Sequence, residues 1–81
     1  MQIKQKAFLK SEIFKQEKNG AWAKRLFLLD TGEYMVNVCW TGVDYRPNYY
    51  RNFKIKEEAE RFFEMIRTVK NVQKYLIEDK L

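Results

Sequence analysis

Histidine is absent from this chain, and cysteine and proline occur once each, as Cys39 and Pro47. Without histidine no Ser-His or Cys-His pair of nucleophile and base can be assembled, and the commonest general base is missing. One cysteine cannot close an internal disulfide, no His/Cys set is left to ligate a metal, and no acidic loop spaces carboxylates for calcium. The three glycines, Gly20, Gly32 and Gly42, are isolated, so there is no phosphate-cradling loop. Long apolar runs are missing as well. Nothing approaches the roughly 18 apolar residues of a membrane-spanning helix, and Met1 to Lys10 alternates Lys with apolar residues where a signal peptide would be continuously apolar. The clustered carboxylates Glu57, Glu58, Glu60 and Glu64 share a helical spacing, which reads as a solvated face opposing a helix dipole. These absences exclude the familiar catalytic and metal-binding designs: the expectation is a non-enzyme without cofactor or metal. Cys39, set in an apolar run, reads as a buried thiol in a reducing compartment, hence a cytoplasmic protein that does not enter a membrane.

What is present is apolar, aromatic and charged at once. The 81 residues are 46% hydrophobic, 16% aromatic and 33% charged, the composition of one packed domain spanning 1–81 near the lower size limit for a self-sufficient core. The clearest period lies in Lys56 to Val69. Ala59, Phe62, Phe63, Ile66 and Val69 form one helical stripe while Glu57, Glu60, Arg61, Glu64 and Arg67 point elsewhere. No Gly or Pro follows, so the spacing predicts one helix running to about Ile77, with Asn71 as the alternative point of a break into a second short helix.

Upstream of that stripe the pattern is extended. Residues 3 to 14 put Ile3, Ala7, Leu9 and Ile13 on one parity and Lys4, Lys6, Phe8, Lys10, Glu12 and Phe14 on the other. Asn19-Gly20 is a hairpin signal, Ala21 to Leu29 a second strand whose parity is blurred by consecutive Leu26 to Leu29, and Asp30 to Glu33 a tight turn needing Gly32. Tyr34 to Trp40 alternates sharply, with Tyr34, Val36, Val38 and Trp40 expected under the helix. Pro47 interrupts pairing between Thr41 and Asn48, and a fourth strand runs from Tyr49 to Lys54 or Ile55. The expected fold is therefore α+β: a four-stranded antiparallel sheet covered on one face by a C-terminal helix.

Charge is unevenly distributed. Residues 1 to 56 hold eleven Lys and Arg against five Asp and Glu, a balance of +6, while 57 to 81 hold five against six. A positive sheet half suits an anionic partner, nucleic acid being the commonest, although small basic proteins exist without one. Within that half, Tyr45, Arg46, Tyr49, Tyr50, Arg51 and Lys54 interleave rings that stack on bases with cations that meet phosphates. Lys24, with Lys4, Lys6 and Lys10, extends the same surface if those strands present the face opposite the helix. The structural alternative is that tyrosines are good strand residues and the cations merely occupy the solvent side, with edge lysines blocking aggregation. Trp22 and Trp40 read as core. The functional expectation is a non-enzymatic nucleic-acid-binding module, for DNA or RNA. The alternative is a protein-binding adaptor or inhibitor, homodimeric in one version, anchored by Tyr49, Tyr50 and Trp22.

From about Gly20 to Tyr75 the chain resembles the WGR domain, a small nucleic-acid-binding module of poly(ADP-ribose) polymerases and some bacterial proteins. The resemblance rests on the strand ending in Trp40, the Gly-containing loop after it, Phe53 followed by Lys56-Glu-Glu-Ala59 and Phe62-Phe63, then Lys70 and Tyr75. It implies nucleic-acid binding. The namesake triplet would fall at Trp40-Thr41-Gly42, where the arginine is absent and the glycine displaced by one, so only Trp40 matches and the family's DNA contacts do not carry over. The arm-binding domains of tyrosine recombinases, three strands and a helix, are similar through Gly20-Ala-Trp22 and Phe53 with Glu57-Glu-Ala59.

Overall fold

Alternation in the third strand decides how the sheet is dressed. In the computed structural model, which describes residues 5–79, β1 (Gln5–Glu17), β2 (Gly20–Leu29), β3 (Tyr34–Gly42) and β4 (Asn48–Phe53) follow one another as an antiparallel meander. Ile3 and Lys4, expected in the first strand and on its positive surface, lie outside the described residues. Two helices come next, α1 (Lys56–Met65) and α2 (Val69–Tyr75), and β5 (Ile77–Asp79) then pairs with the outer edge of β4. The expected α+β architecture is present, with a three-residue fifth strand added at the edge. Among the described residues no helix is long and apolar enough to cross a membrane.

Register assigns the faces. Trp22 sits opposite Trp40, Lys24 opposite Val38 and Leu26 opposite Val36; across the next ladder Val38 meets Tyr49 and Tyr34 meets Phe53. These side chains share the face under the helices. There Trp22, Leu26, Val36, Val38, Tyr49 and Phe53 pack with Ala59, Phe63 and Ile66 and with Val72 and Leu76 in one buried cluster. The stripe expected of α1 and the inward face expected of β3 are both where the core forms. In β1 a single parity does not survive: three register shifts, the β-bulge device that bends a long edge strand, turn Phe8 and Ile13 onto the opposite face while Lys10 and Glu12 stay with the helices.

Both short hairpins form. Gly32 supplies the left-handed turn at φ 90°, and Gly32 N–H donates to Leu29 O at 3.0 Å. Gly20 has no positive φ: a Cβ there would run into the Thr41 backbone and the Trp40 indole, so its role is close approach. Cys39 is half-exposed on the face away from the helices, correcting the expectation of a buried thiol.

The single long helix is also corrected. At 3.6 residues per turn, a straight helix would place Val72 and Leu76 about 100° to 150° around from the stripe of Ala59, Phe63 and Ile66, so it could not bury both sets. The chain resolves this by leaving the helix at Ile66 (ψ 97°) and starting again after Thr68, whose side chain accepts from Asn71 N–H at 3.2 Å. Asn71 answers by accepting from Arg67 N–H at 3.3 Å. Ile66, Val72 and Leu76 are then all buried.

Candidate nucleic-acid interface

The residues singled out from the sequence separate into four places. Lys24 and Tyr49 are in the interior. Lys24 is 1% exposed, and its ammonium donates to Phe63 O at 2.6 Å and Ile66 O at 2.8 Å, with Glu12 at 3.3 Å and the Phe63 ring 4.6 Å below. Those carbonyls are ones a continuing helix would have bonded to its own N–H groups. The cation sits at the negative end of the α1 dipole and completes the bonding of the helix terminus, where Phe63 O otherwise has only the long bond from Ile66 N–H at 3.4 Å. Its expected place on a ligand-facing surface is therefore corrected: it faces the helices and is enclosed by them. Tyr49, on the same sheet face, packs against Trp22 with ring centroids 6.4 Å apart and contributes to the core, not to the surface.

Arg46 and Tyr45 lie at the end of the sheet where the β1–β2 and β3–β4 connections meet. The Arg46 guanidinium donates to Asp44 at 3.1 Å and Glu17 at 3.2 Å and stacks 3.9 Å from the Trp40 ring centroid. The two indoles join the same carboxylates, Trp22 N–H to Glu17 and Trp40 N–H to Asp44, each at 3.2 Å. The Trp40 ring in turn lies across Gly20 and Gly42, neither of which has room for a Cβ. Bonding to Arg46 holds the Asp44 carboxyl below the usual carboxylate range. Arg46 is thus a tie between loop and hairpin whose charge is matched by two acids. Tyr45, 88% exposed, stands outside this tie and makes no side-chain hydrogen bond among those described.

Arg51 and Lys54 reach the corner between β4 and α1. Together with Arg61 and the ring of Phe62 they line an open groove of about 510 Å³ in which Glu58 is the one carboxylate. Arg51 is laid over Phe62 (4.6 Å) and Phe53 (5.2 Å) and donates to Tyr75 O at 3.4 Å, which fixes its stem while leaving the rest of its guanidinium fork to solvent. Arg61 was not among the residues chosen from the sequence. Its membership follows from the helix beginning directly after β4, three residues beyond Phe53, so the first turns of α1 fold back beside the strand end. A second groove of about 380 Å³, between β1 and the end of α1, is lined by Lys24 and Arg67 but also by Glu12 and Glu64, and so has no cationic character.

Tyr50 belongs to the sheet face turned away from the helices. Its register row runs Ser11, Arg25, Asn37, Tyr50 and Ile77 across all five strands. Phe8 (58% exposed) and Ile13 (57%) flank that row on β1. Fold and grooves define a small α+β domain with a cationic corner beside β4. Neither a protein family, nor a curated protein, nor a solved structure matches the chain.

Proposed function

We propose that the chain is a non-enzymatic, cytoplasmic nucleic-acid-binding module that meets phosphates at the corner between β4 and α1. The observation that carries this reading is the groove in which Arg51, Lys54 and Arg61 face a single acid, Glu58, whereas Lys10, Lys24 and Arg46 each lie within ion-pair distance of a carboxylate. Arg51 is held by stacking before any ligand arrives, so less side-chain freedom is lost when a phosphate is bound. Phosphate contacts of this kind give affinity and register without base specificity, and are open to DNA and RNA alike. The resemblance to the WGR domain points to the same class of ligand, though through different residues, because Trp40 here is committed to the tie around Arg46.

Fluorescence anisotropy with labelled single-stranded and duplex oligonucleotides, titrated across salt, tests the proposal. Three phosphate contacts on duplex DNA should give log K falling against log salt with a slope of about −2.7. Absence of binding at low salt would remove the reading. A protein-binding role is favoured by a different observation, the exposure of Phe8 and Ile13 on the sheet face turned away from the helices.

A further inference from the structure

We infer that the corner groove takes a single nucleic-acid strand, with one base stacked on the Arg51 guanidinium; this rests on the proposed function and narrows its ligand. The first observation is shape. Proteins that read a duplex push a projecting helix or β-ribbon into a groove about 12 Å wide. Here Arg51, Lys54 and Arg61 line an open groove of about 510 Å³ between β4 and α1, a volume suited to one ligand-sized unit. The helix wall of that groove, the first turn of α1, carries exposed Glu57 and Glu58, which repel the phosphates of a duplex laid across the corner.

The second observation is a platform. The Arg51 guanidinium carbon lies 4.6 Å from the Phe62 ring centroid and 5.2 Å from that of Phe53, and the two centroids are 4.9 Å apart, so both rings are to one side of the cation. Arg51 is exposed, which leaves its other side to solvent. Tyr75 braces the arrangement: its carbonyl accepts from Arg51 at 3.4 Å, and its ring meets Phe62 edge-on at 5.9 Å. Unpaired bases are bound by stacking on aromatic rings and on guanidinium planes, whereas a duplex keeps its bases stacked on one another and offers none.

The third is the company Arg51 keeps. Lys54 and Arg61 are exposed in the same groove, so a strand whose base rests on Arg51 finds cations for its phosphates beside it. Every base has a π-face, so the inferred preference is for an unpaired strand and not for a sequence.

Fluorescence anisotropy with three labelled probes at one moderate salt concentration tests the inference: a short oligothymidine strand, an abasic strand of the same length and a duplex of that length. The expected result is binding of oligothymidine roughly tenfold tighter than of either other probe, within the range of one base stack. Arg51→Lys keeps the charge and removes the planar fork. It should weaken oligothymidine binding about fivefold or more and leave the abasic strand unchanged, with the fold intact by circular dichroism because the side chain is exposed. The wild-type comparison of oligothymidine with the abasic strand holds whatever the variant does to the fold. Equal binding of oligothymidine and duplex, or of oligothymidine and the abasic strand, would overturn this inference and leave the proposed function standing. So would an Arg51→Lys variant that loses both strands alike, since the arginine would then act as a charge or a brace and not as a platform. Failure of all three probes to bind at low salt would remove the proposed function and this inference together.

Discussion

Lys24 shows how far a residue's role can depart from its type. A lysine in an otherwise apolar strand is ordinarily a solvent-facing charge, and nothing within ten residues of it says otherwise. Its acceptors are Phe63 O and Ile66 O, 39 and 42 positions away, so the burial is decided by tertiary closure and is not legible locally. Replacing it by Met keeps the apolar stem but leaves Ile66 O without its partner and Phe63 O with only the long bond from Ile66 N–H at 3.4 Å. The expected loss is about 3 kcal/mol of folding stability, in the range for removing one partner of a buried charged hydrogen bond. Glu12, whose side chain is 58% exposed, is the control: Glu12→Gln should cost less than about 1 kcal/mol. Urea unfolding of the two variants separates them; equal losses would mean the ion pair, and not the carbonyl contacts, holds Lys24. Arg46 carries a related lesson. Sequence spacing placed it with Arg51 and Lys54, but Asp44 two residues before it and Glu17 on the far hairpin take up its donors.

At the scale of elements the sequence was informative where pattern is short-range. The alternation of β3, the turn at Gly32, the lapse of pairing before Asn48 and the stripe of α1 all form as their periods require. The bulges of β1 were not visible, because each shifts parity by one residue and the shifts blur one another within a single strand. The break between α1 and α2 was legible in principle, in the angular mismatch between the stripes on either side of it. Absence of Gly or Pro is a weaker signal than two hydrophobic stripes that cannot share one side of a straight helix. Thr68 is the local device at this break, and Thr68→Ala should cost about 1 kcal/mol, the usual value of an N-cap hydroxyl. If the two helices were instead held apart by packing alone, thermal denaturation of Thr68→Ala would match the wild type, and the capping bond to Asn71 would carry no weight.

For the molecule as a whole, charge is sorted by position more than by sequence half. The +6 balance of residues 1 to 56 anticipated a cationic surface, but Lys24 is interior, Arg46 is matched by acids, and the corner that remains takes Arg61 from the other half. The proposed ligand surface and the end of the sheet holding Arg46 are well separated: Phe53, beside the corner, pairs with Tyr34 at one end of β3, whereas Gly20 pairs with Gly42 at the other. This separation permits a charge-matched test. Lys54→Ala with Arg61→Ala removes two cations at the corner; Lys15→Ala with Lys18→Ala removes two exposed cations near the opposite end, so net charge falls equally. If local geometry governs binding, the corner pair should weaken oligonucleotide affinity at least tenfold at moderate salt, about 1.4 kcal/mol, and flatten the salt slope by about two contacts. The distal pair should change affinity less, because charges more than a Debye length of about 10 Å from a phosphate are largely screened. Arg46→Ala completes the set. It should leave the salt slope unchanged while lowering the melting temperature, since its guanidinium is spent on Glu17, Asp44 and the Trp40 ring. Equal weakening by the corner and distal pairs would show that net charge alone attracts the ligand, and a flattened slope in Arg46→Ala would move the binding surface to the other end of the sheet.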